Sequence, residues 1–364
     1  AYYNPAILGK TPGKSFSAAV GVYKKFDTLY GDSADYTKTP LRINTGFFRA
    51  LPASSGNIIE FAGWKLGMSI IVPSYDQFKG DIANSTTQTT NITYTDENLW
   101  VGGAASKELS DHNSIGFTVY YTARNYVRTV QDKTYSGTAS HIYSSDVAIT
   151  QNSVVGTLGY FHQLSDQWHL GASIRLPNLP VSSQASYFVD EINTNNLSNN
   201  LKINETQIKA KEFIPTTLRL GATYYFNPEW TFSGDVAVYE GSSIQLFEYS
   251  PYADKLSYQS TIQLNFGAEY KVLPNLHARA GIYTNTSAHP TPKASAGYLQ
   301  GEKVDQLGFS ANVHYISESK VGYSFGGYYT GGNGYAVVRS GHNLIRTTKS
   351  TNIFTMLVAT SFYF

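Results

Sequence analysis

The sequence predicts an all-β protein, a transmembrane antiparallel up-and-down β-barrel of about 14 strands. Three observations lead to this prediction: apolar and polar residues alternate along most of the chain, short and long connections follow one another, and aromatic residues stand at strand ends. Alternation with a period of two puts one set of side chains on each face of a strand. A barrel in a membrane needs this pattern, because lipid lies on its outer face and a wet interior on the other.

The composition excludes several other classes of protein. Of the 364 residues only 15% are charged, against about 25% in an average soluble domain. The net charge of +1 gives no electrostatic basis for binding nucleic acid, so no nucleic-acid partner is expected. No stretch approaches the roughly 18 consecutive apolar residues of a transmembrane helix. Strands that cross a membrane alternate instead, so the composition is compatible with a barrel.

The strands follow from the alternation. Between residues 64 and 72, for example, Trp64, Leu66 and Met68 fall on one face and polar or small residues on the other. The alternating segments are 15–26, 42–61, 64–73, 92–109, 114–128, 144–164, 168–176, 206–226, 230–240, 258–272, 276–285, 303–316, 321–330 and 347–364. Short connections lie near 62–63, 110–113, 165–167, 227–229, 273–275 and 317–320. Long connections lie near 27–40, 74–91, 129–143, 177–205, 241–257, 286–302 and 331–346.

Aromatic residues suggest where the membrane surfaces lie. Trp64, Trp168 and Trp230 each begin a strand after a short turn, as in the aromatic girdle of an outer-membrane barrel. A second girdle is expected at the other strand ends, from Tyr120, Tyr121, Tyr126, Tyr239, Tyr328 and Tyr329. The chain ends in Phe364 on an alternating strand, which resembles the targeting signal of bacterial outer-membrane proteins. The bacterial outer membrane is therefore the expected location, and a soluble all-β protein is the alternative.

Seven charged residues fall on the inferred inner face: Lys65, Arg175, Arg219, Asp235, Glu269, Lys271 and Arg279. A charge facing lipid would cost about 2–4 kcal/mol at the midplane, so their inward phase supports the barrel. They have two interpretations. The charges pair in a wet interior, or they line a ligand path in which an arginine fork accepts both oxygens of a carboxylate.

The long connections 74–91 and 177–205 are polar but contain isolated apolar residues, namely Phe78, Tyr187, Phe188, Val189 and Leu197. They are either solvated loops or an apolar capture site.

Several short motifs resemble the FadL/TodX-type outer-membrane transporters of long-chain fatty acids and other hydrophobic compounds. Asn4-Pro5-Ala6 is similar to the Asn-Pro-Ala motif of that family's hatch. The segments 66–73, 214–224 with Asp235, and 276–283 resemble strands of the same family in the same order. In this sequence only three residues precede the motif, where the family has a few tens of residues that form much of its plug.

The resemblance implies a monomeric barrel of residues 15–364 with a hatch, residues 1–14, inside it. A hydrophobic ligand would be captured at the outer loops and leave sideways into the membrane lipid. The lateral opening would lie near a kink in the third strand, between Gly67 and Pro73.

The function expected from these observations is passive transport of hydrophobic, fatty-acid-like small molecules through a plugged barrel with lateral release near the third strand. Two alternatives remain: a general diffusion porin for polar solutes, and a structural or adhesin-type outer-membrane protein. The eight His residues include no His-x-x-x-His pair and the chain has no Cys, so no metal or other cofactor is expected. An enzyme is not expected.

Overall fold

The computed structural model describes residues 2–11, 13–31, 41–85, 87–195, 200–247, 255–294, 300–340 and 343–364. It has one short helix, α1 (Ile7–Lys10), and otherwise strands and connections. The strands are, in chain order, β1 (Ser15–Tyr30), β2 (Leu41–Phe61), β3 (Trp64–Ser85), β4 (Gln88–Ser110), β5 (Asn113–Ser136), β6 (Ala139–Gln163), β7 (Trp168–Arg175), β8 (Leu179–Asn193), β9 (Leu201–Ile208), β10 (Thr217–Tyr225), β11 (Trp230–Tyr239), β12 (Ser242–Gln245), β13 (Lys255–Tyr258), β14 (Thr261–Leu273), β15 (Leu276–Asn285), β16 (Lys303–Ile316), β17 (Val321–Ser340) and β18 (Asn343–Tyr363).

Fourteen antiparallel strands close into a barrel, which confirms the predicted fold class. Each strand from β1 to β7 pairs with the next, β7 pairs with β10, and β10, β11 and β14 to β18 follow in order. The ring closes because β18 pairs with β1, from Ser15 opposite Tyr363 onward. Closure pairs the first strand of the ring with the last, so that no strand of the ring is an edge strand along its whole length.

The two faces of the wall differ as the alternation predicts. On β5, Ile115, Phe117 and Val119 are exposed on the outer surface, whereas the intervening Ser114 and Thr118 are buried inside. The outer face therefore presents apolar side chains to its surroundings, and the inner face presents small and polar ones. That distribution fits a wall between lipid and a wet interior.

The short turns, the start of β1 and the end of β18 lie at the same end of the barrel. Phe364 N donates to Lys14 O at 2.9 Å, and the β2–β3 turn consists of Ala62 and Gly63, with φ angles of 50° and 73°. A left-handed conformation of this kind suits glycine and allows a two-residue hairpin turn.

The other end differs from the expectation of long loops. Strands β3 to β6 continue for 22 to 25 residues, so much of 74–91 and 129–143 is paired strand. Residues 177–205 contain β8 and most of β9. These two strands form a hairpin that pairs with the half of β6 away from the short turns, which we call the upper half. The predicted strand 206–226 is therefore wrong in its first half, since the barrel strand β10 starts only at Thr217.

The predicted aromatic girdles are only partly present. Trp168 and Trp230 are exposed at strand starts. Tyr121 and Tyr329 are also exposed. Four of the expected girdle tyrosines instead face the interior: Tyr120, Tyr126, Tyr239 and Tyr328. A tyrosine has an apolar ring and a polar hydroxyl, so it suits both the outer girdle and the interior. Only the alternation along each strand separates the outward tyrosines from the inward ones.

Among the described residues, no helix is long and apolar enough to cross a membrane.

Candidate functional site

The N-terminal segment, residues 2–11, lies inside the barrel against the inner faces of β3 to β7. Asn4, Pro5 and Ala6 are buried. The Asn4 side chain links this segment to the wall, because its Nδ2 donates to Tyr160 O at 3.0 Å and its Oδ1 accepts from Ala6 N at 3.0 Å. One amide thereby fixes both a turn and its docking position.

Serine hydroxyls from three strands hold the same segment. Ser106 and Ser114 both donate to Ala6 O, at 3.1 and 2.8 Å. Ser106 also accepts from Gly9 N at 3.1 Å, and Ser173 donates to Tyr3 O at 2.7 Å. These bonds satisfy backbone groups that burial would otherwise leave unpaired.

Two glycines of the wall allow this close approach. A Cβ on Gly116 would lie 2.6 Å from the Pro5 carbonyl carbon and 2.7 Å from Ala6 N. A Cβ on Gly159 would collide with the Asn4 side chain and Pro5. Any larger residue at these positions would displace the segment, so the wall is shaped to receive it.

Above the N-terminal segment, apolar side chains form a cluster that we call the aromatic chamber: Tyr2, Trp100, Tyr120, Val155 and Ile214. The Trp100 ring lies 5.5 Å from that of Tyr2 and 5.6 Å from that of Tyr120. The sequence reasoning missed Trp100. One feature of the sequence could have identified it. Trp100 is the one tryptophan of the four that lies in the middle of a predicted strand, whereas the other three begin a strand.

Residues 209–216, which we call the strap, connect β9 to β10 and pass into the barrel. Ile214 of the strap packs in the aromatic chamber, and its N donates to Asn178 Oδ1 at 3.0 Å. Glu212 accepts from Ser153 Oγ at 3.1 Å. Burial raises the pKa of the Glu212 carboxyl above its usual range, and the Arg124 guanidinium opposes this rise only in part.

Arg175 and Arg219 lie beside the aromatic chamber. Arg175 Nη2 donates to Thr217 Oγ1 at 2.7 Å, and its guanidinium is 5.8 Å from the centre of the Trp100 ring. Arg219 is 4.8 Å from the Tyr3 ring centre. Within the described residues, neither arginine has a carboxylate within 4.0 Å, and the buried Arg175 Nε has no hydrogen-bond partner.

The other predicted inner charges also face the interior. Asp235 accepts from Asn265 Nδ2 at 2.8 Å, and Lys65 pairs with Glu60 at 3.0 Å. Near the short turns, Glu269 accepts from Arg279 Nε at 2.5 Å and contacts His277 Nδ1 at 3.1 Å. Lys271 lines a cavity at the same rim. Only Arg175 and Arg219 come together at the aromatic chamber.

The wall is discontinuous between β2 and β3. Their ladder runs from Phe61–Trp64 to Ser54–Ile71 and ends there, although both strands continue and pair with their other neighbours. The β3–β4 ladder is also irregular between Ile71 and Ser74. Pro73 lies in this irregularity, where it has no N–H to donate to a neighbouring strand.

Gly67 lies below this break, in the paired part of β3 opposite Ile58. A Cβ on Gly67 would lie 3.4 Å from Leu8 Cδ1 of α1. The two predicted gate residues are thus in different settings, with Pro73 at the break and Gly67 under the N-terminal segment.

The upper part of the barrel has an apolar cluster, which we call the outer cluster. Its buried residues are Ile149, Ala185, Ala210 and Phe247, with Tyr126, Val147, Ile208 and Leu246 packed against them. Tyr187 stacks obliquely on Phe247 at 5.9 Å, and Val189 is buried with Tyr143 and Ile203. Of the predicted capture residues, the side chain of Phe78 and all of Leu197 lie outside the described residues.

A hydrolytic site has little support. Residues Gly322 to Gly326 match a Gly-x-Ser-x-Gly pattern, and Ser324 Oγ is 2.8 Å from His314 Nδ1. The pattern lies within β17, however, and not at the strand-to-helix turn that exposes a nucleophile. In the part of the chain that the structure describes, no group of three or more His, Asp or Glu residues could hold a metal ion.

Comparison with solved structures identifies proteins of the same fold. A Pseudomonas aeruginosa FadL homologue aligns with a TM-score of 0.74 at 14% identity, over 99% of this chain and 93% of that one. The Pseudomonas putida toluene transporter TodX aligns at 0.66 and 15% identity, over 99% and 92%. The Ralstonia pickettii toluene transporter TbuX aligns at 0.60 and 13% identity, over 99% and 92%.

No protein-family model and no curated protein matches the sequence. The resemblance seen in the short motifs is therefore confirmed as a shared fold, that of outer-membrane channels of the FadL and TodX type.

Proposed function

We propose that the protein resides in the bacterial outer membrane and passively transports hydrophobic small molecules, with the N-terminal segment acting as a hatch. The observation that carries this proposal is the break in the β2–β3 ladder above a lumen that the N-terminal segment occupies. A solute that enters from the outer end along β3 to β7 meets the N-terminal segment below it and an unpaired section of wall beside it. The fold shared with the hydrocarbon channels agrees with this function.

Capture would begin at the outer cluster. Its aliphatic and aromatic side chains come from β5, β6, β8, β9, the strap and residues 246–247, so they would lie on the way from the outer end to the aromatic chamber. Burial of an alkyl chain there is favourable by about 0.8 kcal/mol for each CH₂ group, and no energy source is needed for passage down a concentration gradient.

The ligand class would include hydrophobic acids. Arg175 and Arg219 supply two guanidinium groups at the edge of the aromatic chamber, and Arg175 Nε is buried without a partner among the described residues. A buried donor left unpaired costs about 1–3 kcal/mol, which a carboxylate ligand would recover. The alkyl part of the same ligand would lie against Trp100 and Tyr120.

Release would occur through the wall at the break. Beyond Ser54 and Ile71 the two strands form no ladder with each other. Pro73 on β3 has no backbone N–H and cannot donate a hydrogen bond there. The alkyl chain would pass from the aromatic chamber to lipid here, without displacing the N-terminal segment from the wall.

A disulfide across the break tests this route. Ala53→Cys with Val72→Cys extends the register by one pair past Ser54–Ile71, and the chain has no other cysteine. We expect the oxidised variant to lose uptake of radiolabelled long-chain fatty acid and of toluene in cells, and dithiothreitol to restore it.

The matched control is Ser55→Cys with Ile70→Cys, a pair already inside the ladder. Its disulfide should leave uptake unchanged, because it joins strands that are closed in any case. Normal uptake through the oxidised Ala53–Val72 variant would overturn the lateral route. Absence of any hydrophobic uptake by the unmodified protein would overturn the proposed function itself.

A further inference from the structure

The strap lies along the inner face of β6 and reaches both apolar clusters. At one end its Ala210 is buried in the outer cluster together with Ile149 of β6. At the other end its Ile214 is buried in the aromatic chamber together with Val155 of the same strand. Ile149 and Val155 lie on one face of β6, because an even number of residues separates them. The strap therefore covers a strip of β6, residues 149–155, that begins in one cluster and ends in the other.

The middle of this strip is polar. Gln151 and Ser153 are buried on the same inner face, between the two apolar ends. Ser153 Oγ donates to Glu212 of the strap at 3.1 Å. The strip thus has apolar ends and a hydrogen-bonding centre, and the strap matches that order with an alanine, a glutamate and an isoleucine.

The match fails at Gln151, whose side chain is only 2% exposed. Among the described residues neither its Oε1 nor its Nε2 has a hydrogen-bond partner. Arg124 is opposite Gln151 on β5, but its guanidinium is committed to Asp96, with bonds of 2.9 and 2.8 Å. A buried amide without partners is unfavourable. The docked strap therefore does not satisfy the strip that it covers.

Few bonds hold the middle of the strap. In the described part of the chain, residues 212–214 make their hydrogen bonds to the side chains of Ser153 and Asn178, and not to a strand backbone. A connection held in this way can detach without opening the barrel, because the strand ladders around it stay intact.

We propose that the strip of β6 from Ile149 to Val155 is a binding site for elongated hydrophobic molecules with a hydroxyl or carbonyl group part-way along the chain, and that the strap competes with them for it. The alkyl parts of such a ligand would replace Ala210 and Ile214 in the two clusters. Its polar group would pair with the Gln151 amide, and a hydroxyl suits that amide because both groups donate and accept. The ligand-bound state would thus be favoured over the docked strap.

This inference rests on the proposed function, since hydrophobic compounds must enter the barrel to reach the strip. Its first test links the strap to β6. In Ser153→Cys with Glu212→Cys, a short bis-methanethiosulfonate reagent can join the two thiols, because the native side chains meet at 3.1 Å. We expect calorimetry on the purified protein to show binding of dodecan-6-ol before linking, its loss after linking, and its return with dithiothreitol.

The matched control is Asn285→Cys with Gln306→Cys, whose native side chains meet at 2.7 Å across β15 and β16. Linking these two strands should leave binding of dodecan-6-ol unchanged, because they are neighbours in the wall and remote in sequence from the strap.

A second test examines the polar centre of the strip. Dodecan-6-ol and dodecan-1-ol differ only in the position of the hydroxyl, so the unmodified protein should bind the internal alcohol severalfold more tightly. Gln151→Met keeps the length of the side chain but not its amide, and should lose this preference while still binding dodecan-1-ol. Gln184→Met makes the same change at an exposed position of β8 and should keep the preference.

Four results would each overturn the inference: no binding of dodecan-6-ol, equal binding of the two alcohols by the unmodified protein, a preference that survives in Gln151→Met, or binding that persists after the strap is linked. Uptake in cells tests the proposed function separately, so its failure can be told apart from failure of the strip as a binding site.

Discussion

Asn4 Nδ2 donates a hydrogen bond to the carbonyl oxygen of Tyr160, 3.0 Å away and 156 residues further along the chain. This bond joins the N-terminal segment to β6, while Asn4 Oδ1 holds the turn at Ala6. Asn4 therefore couples the turn of the segment to its place on β6, beside the serine hydroxyls that hold the same segment.

Replacing Asn4 should loosen the N-terminal segment. Asn4→Ala removes two hydrogen bonds, each with a net value of about 0.5–1.5 kcal/mol, so we expect about 1–3 kcal/mol less stability. Urea-induced unfolding in lipid vesicles measures the change. The control is Ile7→Ala, since Ile7 is 50% exposed and should have little effect. Equal stability of Asn4→Ala and the unmodified protein would show that the bond to Tyr160 is unimportant.

A bulky residue at Gly67 should abolish hydrophobic uptake, and the structure indicates how. The added side chain of Gly67→Leu would press on Leu8 of α1, which lies 3.4 Å from a Cβ at that position. A second change, Leu8→Ala, makes room and should restore uptake in the double variant. If the effect arose at the β2–β3 break instead, Leu8→Ala would give no rescue.

Arg175 should discriminate between acidic and neutral hydrophobic ligands. A charge-assisted hydrogen bond contributes about 1.5–3 kcal/mol, so Arg175→Met should weaken binding of a fatty acid by about 10- to 150-fold. Binding of the corresponding fatty alcohol should change little. Calorimetry on detergent-solubilised protein measures both. Lys271→Gln, at the distant rim, serves as the control, and equal losses for acid and alcohol would refute a carboxylate contact.

Docking of the strap should depend on pH through Glu212. Burial raises the pKa of this carboxyl, so the docked strap retains a proton that an undocked, solvated strap would release. Docking is therefore strongest at low pH and weakens as the pH rises through the raised pKa.

Trp100 fluorescence reports this change, in a variant in which Trp64, Trp168 and Trp230 are replaced by Phe. The emission of Trp100 should shift to longer wavelength as pH rises, because the strap that covers it detaches. Glu212→Gln should remove that dependence. An identical pH profile in Glu212→Gln would mean that another group controls docking.

The alternation was sufficient to predict the barrel, its strand number and the inward phase of its charges, because lipid and water act on neighbouring residues in turn. It was not sufficient to assign which strand pairs with which. Residues 206–208 alternate like barrel residues but belong to β9, which pairs with β8 rather than with the ring. Ile214 belongs to the strap, which turns into the barrel. Its N–H donates to Asn178 Oδ1, 36 positions earlier in the chain, and alternation does not reveal such a contact.

The aromatic chamber was harder to foresee. Tyr120 and Trp100 are residue types that also populate membrane girdles, and only the phase of each strand shows that they face inward. The break between β2 and β3 depends on where a ladder stops, which is a property of two strands together. A resemblance in short motifs pointed to the region of Pro73, and the register located the break at Ser54–Ile71.

The most direct test of the hydrophobic route is a crystal structure with a medium-chain fatty acid brominated at its terminal carbon. Anomalous scattering locates the bromine, and ordinary density shows the carboxylate. We predict the carboxylate within hydrogen-bond distance of Arg175 and the bromine in the aromatic chamber or at the β2–β3 break. Bromine along the inner faces of β14–β18, or only on the outer surface of the barrel, would contradict the account.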